Sequence, residues 1–424
     1  MSAPVLPDQA YAVALLCLPS LWPARLAALL GLRRVRGPDE ALLGDDPMVA
    51  RRSAREAWSL VRDGRAGADQ VVRRALGGRA DVTEVTAAWA RAAIGLDVEA
   101  LWARHVHDGV RVDLLGSPGY PTALASDPSA PYAVFRKGSA TGLEGPCVAI
   151  IGTRRCTPLG RDIAIEFAET LSRAGAKVVS GLALGIDGAA HEGALRASRA
   201  TPIGVVAGGF DIPYPARHRR LWLDVAAAGA LVSEWPLGTR SEGWRFPARN
   251  RIIAALADAV VVIESRASGG SMITAEQALV RGKAVFAVPG SIRSPASIGT
   301  NRLLCDGAIP ACAVDDVIDT LGLRKPVRRR AQRPEPVGTA AEVLLAVGWE
   351  PTPIDVVLRR CDGTRASVTL DLAHLEMAGW LCNGPGGWQR LQAEGSQSPD
   401  HAPPSPVALP SESCPGTSRS SPDR

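Results

Sequence analysis

The chain has 424 residues, enough for two or three domains and at least one large core. Its 48 basic residues against 43 acidic ones leave a net charge of +5, too mild an excess to argue for nucleic acid by itself. The eight cysteines form no CxxC pair and no histidine stands at metal-ligand spacing, which excludes an obvious zinc site or disulfide framework and favours a reducing, cytoplasmic setting.

The apolar run Tyr11–Trp22 lacks a basic leader, is too short to span a bilayer and contains Pro19. It reads as a core helix, with neither a signal peptide nor a membrane anchor. Ala- and Leu-rich helical periods continue through Val85–Leu96 and Val98–His107, so residues 1–110 are expected to form a small all-α domain. Residues 111–146 are a turn-rich connecting segment, with Gly119-Tyr120-Pro121, Asp127-Pro128-Ser129-Ala130-Pro131 and a short strand at Tyr132–Phe135.

From Cys147 the texture becomes regular. β-Branched runs at Val148–Ile151, Lys177–Ser180, Ile203–Ala207, Ala230–Glu234, Ala259–Glu264 and Ala284–Val288 alternate with helical stretches such as Leu159–Ala174 and Ile186–Ala197. That alternation predicts an α/β domain over residues 147–323, a Rossmann-like, doubly wound parallel sheet covered on both faces. Residues 324–337 read as a basic linker carrying Arg324, Arg328, Arg329, Arg330 and Arg333. Residues 338–393, with three helical stretches and a tip at Asn383–Gly387, have a winged-helix pattern. The Ser/Pro-rich residues 394–424 are expected to be disordered.

In a doubly wound sheet, ligands bind at the carboxyl ends of the strands. There the sequence places Gly152-Thr153-Arg154, then Gly181, Ala183 and Gly185, and then Gly269-Gly270-Ser271. Glycines let a backbone approach an anion, helix N-termini offer unpaired N–H groups, and Arg154 is a bidentate phosphate donor. For the Gly152 loop alone, a tight turn with solvated arginines is the competing reading. No GxGxxG or Walker A pattern signals NAD or ATP, so no cofactor is expected. Asp187 is placed to cap the next helix, and His191, one turn further, reads as a buried structural residue. In Trp244–Arg251, the aromatics beside Arg245, Arg249, Asn250 and Arg251 could stack on bases while the arginines track phosphates. A loop with a packed aromatic is the competing reading.

Taken together, Gly152-Thr153-Arg154, Ser180–Ala183 with Gly185–Asp187, Ala190-His191, Asp211 with Tyr214-Pro215, Phe246-Pro247 with Arg249–Arg251, Ile273–Ala275, Val288–Gly290 and Gly299–Asn301 resemble the DNA-processing protein A family (DprA, also called Smf). The resemblance implies a cytoplasmic, generally dimeric protein, not known as an enzyme. Such a protein binds incoming single-stranded DNA during natural transformation and helps load the RecA recombinase onto it. It also places Arg154 in the family's phosphate loop, and Phe246 with Arg249–Arg251 along its DNA pocket. Ala207 and His218 depart from the residues frequent in the family. The third helix of the winged unit, near Arg365–Ala378, carries Asp371 and Glu376 against one arginine, which suits a protein-contact or structural role at least as well as reading a major groove. Two rival readings are a phosphoribohydrolase using Glu276 and Arg249, and a winged-helix regulator of duplex promoters.

Overall fold

The computed structural model of the chain describes residues 5–32, 52–76, 82–138, 143–197, 201–324, 335–384 and 386–391. Arg328, Arg329, Arg330 and Arg333 of the linker, Pro385 at the wing tip and the tail 394–424 lie outside the described residues.

Among the described residues nine strands form one sheet: β1 Arg111–Leu114, β2 Ala133–Gly138, β3 Cys147–Ile151, β4 Lys177–Ser180, β5 Ile203–Val206, β6 Ala230–Ser233, β7 Ala259–Val262, β8 Ala284–Ala287 and β9 Ile309–Pro310. Their order is β1-β2-β6-β5-β4-β3-β7-β8-β9. The pairings from β6 across to β9 are parallel, whereas β2 runs antiparallel to both β1 and β6. The chain winds outward from β3 through β4, β5 and β6, then returns to the other side of β3 with β7. The gap between β3 and β7 is therefore the topological switch point, where loops diverge and leave a crevice.

β3, β5, β6 and β7 are wholly buried, and β4 is buried apart from Lys177, because helices cover both faces. One face packs Ala149, Ile151, Val205, Val232 and Val260 under the helix Arg245–Leu256. The other packs Val148, Ile150, Val178 and Val261 against the helices Pro158–Arg173 and Ile186–Arg196. Pro158 at the first helical position and Thr157 as cap start the former, Thr157 Oγ1 accepting the Gly160 N–H at 2.9 Å. The segment 111–146 supplies β1 and β2 to the same sheet. It is pinned by the buried pair Arg136–Asp113 (2.6 Å) and by Arg281–Asp127 (2.5 Å).

The run Tyr11–Trp22 is not one helix. A helix spans Asp8–Leu16, and a second begins at Pro23. Between them Pro19 follows the C-cap Cys17 by two residues, where proline commonly stops a helix. These helices share a core with Val112, Phe135 and Leu231 of the sheet. The helix Val98–His107 is fastened to the same end of the sheet: Arg104 pairs with Asp211 at 2.7 Å, and Leu237 N–H donates to His105 Nε2 at 3.0 Å. Burial pushes the His105 pKa down, consistent with that neutral acceptor nitrogen.

The C-terminal unit has helices Thr339–Ala346, Ile354–Arg360 and Arg365–Met377, then the hairpin β10 Leu381–Gly384 and β11 Gly387–Arg390. It has its own core of Val343, Val357, Leu372, Leu375 and Trp388. This is the winged helix that the sequence pattern predicts.

Candidate nucleic-acid interface

The loops after β3 and β7 meet at the switch point. Thr153 N–H donates to the Glu264 carbonyl at 2.8 Å, and a Cβ on Gly152 would stand 2.6 Å from Ile186 and 2.7 Å from that carbonyl. Glu264 in turn accepts from Thr157 N–H (2.8 Å) and Thr157 Oγ1 (2.5 Å). Burial raises its pKa, and the Thr157 bonds work against that rise. Gly152 is thus demanded by the protein's own packing, and it sets the height at which Thr153 and Arg154 leave the sheet.

Arg154 is exposed and has no acidic partner among the described residues. Its guanidinium carbon lies 5.2 Å from the centre of the Phe246 ring, and Phe246 lies 5.4 Å from Tyr214, which is 48% exposed. A free guanidinium beside two rings offers a phosphate donor next to stacking surface.

The loop after β4 is filled from within. Arg249 is buried under Gly181, whose missing Cβ is the space its guanidinium occupies; Arg249 Nη1 donates to the Val205 carbonyl at 2.5 Å. Burial lowers the Arg249 pKa to about 10, with Asp187 opposing the shift and Arg154 adding to it. Asp187 does not cap its helix; Gly185 holds that position. The Asp187 carboxylate instead faces Arg249 and the amides of Ala183, Gly181 and Gly152, while burial raises its pKa. Gly185, at φ +81°, has the Thr153 carbonyl against its α-carbon, a contact that only glycine allows. His218 closes the loop from outside, Nδ1 donating to the Leu182 carbonyl at 2.9 Å. His191 is fully buried with neither ring nitrogen hydrogen-bonded, and burial lowers its pKa to about 3.

The expected arginine track at 245, 249 and 251 does not form. Arg245 is held over Trp235 (4.2 Å) and Trp244 (5.0 Å), and donates to the Arg240 carbonyl at 2.9 Å. Arg251, about 200° around the helix from Arg249, pairs with buried Glu234 at 2.5 Å. Both line a cavity of about 190 Å³ against the N-terminal helices. Asn250 ties the helix to the next loop, donating to the Gly270 carbonyl at 3.0 Å.

The loop after β7 is open. Gly269 and Gly270 are exposed, and a Cβ on either would come no closer to a neighbour than 3.7 Å. They begin the helix Gly270–Val280, where the Met272 and Ile273 N–H groups donate to the Gly269 carbonyl at 3.2 and 3.4 Å and those of Gly270 and Ser271 lack intrahelical partners. Ser271 is buried, its hydroxyl 2.8 Å from that of Ser265. Among the described residues no helix is long and apolar enough to cross a membrane, and no cluster of His, Cys, Asp and Glu could hold a metal.

Residues 111–322 match the sequence family described as DNA recombination-mediator protein A, and residues 327–387 match the DprA winged helix domain. The chain belongs to the DNA recombination-mediator protein A family. Protein Smf of Escherichia coli is 37% identical over 287 residues, covering 64% of this chain and 75% of that protein. DNA processing protein DprA of Bacillus subtilis is 38% identical over 220 residues, covering 52% and 74%. The X-ray structure of DNA processing protein A from Streptococcus pneumoniae superposes with a TM-score of 0.55 at 26% identity, covering 74% of this chain and 98% of that one.

The recombination-mediator match begins at Arg111, the first residue of β1, so the antiparallel strands belong with the parallel sheet in sequence as in space. Within this member of the family, sequence reasoning passed over Tyr214 as a site residue, and also Arg217, Arg266 and Arg293. The three arginines are exposed, without acidic partners among the described residues, on loops or helix starts that follow β5, β7 and β8. Their position on segments that leave a strand's carboxyl end was the available signal.

Proposed function

We propose that the chain binds single-stranded DNA across the carboxyl-end edge of its sheet, acting in DNA uptake to protect the strand and help load a RecA-type recombinase. We place it in the cytoplasm and expect a homodimer. The observation that carries the reading is the unpaired Arg154 guanidinium beside Phe246 and Tyr214 at the switch point. A free nucleotide needs one phosphate cradle. A strand needs repeated charge and ring surface, and Arg217, Arg266 and Arg293 continue the charge along the same edge.

The carboxylates that would repel a strand are engaged elsewhere: Asp211 with Arg104, Glu234 with Arg251, Glu264 with Thr157. Binding without catalysis also fits the placement of Arg249 and Glu276. The arginine is sealed beneath Gly181, whereas Glu276 is exposed on the helix Gly270–Val280, so the two do not converge on one substrate.

The test is oligo-dT binding by the purified chain across a salt titration. The logarithm of the affinity should fall linearly with log salt as phosphates release counterions, and the affinity should exceed that for duplex of equal length. Tighter, sequence-dependent duplex binding, or release of free base from nucleotides that is abolished by Glu276→Gln, overturns the reading.

A further inference from the structure

A second cluster of rings and arginines lies at the same end of the sheet, and half of it comes from the N-terminal helices. Trp22 and Trp244 meet edge to face with centroids 6.4 Å apart, yet remain 42% and 44% exposed. Trp244 also stands edge-on to buried Trp235 at 5.6 Å. Arg25 lies 4.2 Å over the Trp22 ring and has no acidic partner among the described residues. Glu242 brings a carboxylate to the group: it accepts the Trp244 indole N–H at 2.6 Å and lies 3.8 Å from Arg245.

The turn that presents Trp22 is held in a conformation that L side chains rarely adopt. Ser20 has φ +54°, and the only other described non-glycine residue with positive φ is Leu182, in the loop over Arg249. Two bonds fix this turn: the buried Trp89 indole donates to the Pro19 carbonyl at 3.0 Å, and Arg25 donates to the Ser20 carbonyl at 2.9 Å. Backbone held this way concentrates where a side chain must be aimed. Here the aimed side chain is an indole left half open.

This cluster repeats the composition of the Arg154 unit, rings with a guanidinium that has no acidic partner among the described residues. It adjoins that unit, because Trp244 and Phe246 are two residues apart at the start of the helix Arg245–Leu256. We propose that Trp22 and Trp244 form a second base-stacking platform, through which the N-terminal helices lengthen the single-strand path beyond the sheet edge. The proposal rests on the single-stranded DNA reading above. Stacking on indole is indifferent to base identity, and Arg25 supplies charge beside it.

The full chain is photocrosslinked to an iodouracil-substituted oligo-dT of about 16 nucleotides and the adducts are mapped. Adducts at Trp22 or Trp244 are expected; adducts confined to Phe246 and Tyr214 overturn the platform. In parallel, Trp22→Ala should weaken binding of that oligonucleotide roughly five-fold or more, and leave one of about 4 nucleotides unchanged, while Trp22→Phe retains most of the affinity. If the wild-type chain binds neither length, the single-strand reading itself falls. If Arg154→Ala loses binding while Trp22→Ala binds both lengths like wild type, only the platform falls.

Discussion

The loops after β4 and β7 have nearly the same composition, small residues around glycines before a helix, and they do opposite things. In Gly181–Gly185 the space that the glycines leave is filled by the Arg249 guanidinium and the Thr153 carbonyl, with Asp187 facing the amides. In Ser268–Ser271 the corresponding space is empty and faces solvent. A glycine is required wherever something comes close to the backbone, and composition does not say whether that something belongs to the protein or to a ligand. The same division separates Arg249, whose charge is used inside, from Arg154, whose charge is left over.

The largest effect expected from this contrast is at Gly181. Gly181→Ala places a methyl group in the Arg249 guanidinium, and should lower stability by about 3 kcal/mol, the upper end for overpacking because the displaced group is a buried charge. Urea denaturation measures it. A loss below about 0.5 kcal/mol would erase the distinction between the two loops.

Arg154→Ala should do the reverse, leaving the urea midpoint in place while weakening oligo-dT binding by about 1.5–3 kcal/mol, the range for a hydrogen bond to a charged group. An Arg154→Ala chain with unchanged affinity would remove the residue from the interface. Arg249→Met, by contrast, should lose stability first.

The filled loop also predicts a pH response through His191, on the helix that leaves it. Its folded pKa of about 3 lies below the ordinary value of 6.5, so the unfolded chain takes up a proton that the folded chain refuses. The stability contribution is complete above pH 6.5 and is lost as pH falls from there toward 3, by about 1.4 kcal/mol per unit and about 2 kcal/mol at pH 5. The raised pKa values of Asp187 and Glu234 act with the opposite sign over part of that range. The informative quantity is therefore the difference between wild type and His191→Phe, which should lack the His191 slope. Parallel curves for the two chains would mean that folding leaves the His191 pKa unchanged.

How much of this was legible in the sequence follows from where the deciding partners lie. The buried strands could be read because β-branched runs such as Val148–Ile151 and Ala259–Val262 show their burial locally, and Arg154 could be read because it directly follows a strand. The roles of Arg245, Arg249 and Arg251 could not. What decides each is a group elsewhere in the chain: Trp235 for the first, the Val205 carbonyl 44 residues away for the second, Glu234 for the third. The pairing of Trp22 with Trp244 joins residues from different ends of the fold and leaves no local mark. Ser20 likewise carries no signal of its left-handed turn, since only the packing of Trp89 and Arg25 imposes it.

The smallest effect is the most discriminating. Gly269 has an extended backbone, φ 170°, that any residue adopts, and an added methyl would meet nothing nearer than the Ser271 hydroxyl at 4.0 Å. Gly269→Ala should therefore keep stability within about 0.5 kcal/mol of wild type. If a phosphate approaches the first-turn N–H groups of Gly270–Val280, the same methyl intrudes on it, and oligo-dT binding should weaken by about 0.5–1 kcal/mol. A chain unaltered in both respects would mean that the open loop is merely open, and that the strand passes Arg154 without touching the helix beside it.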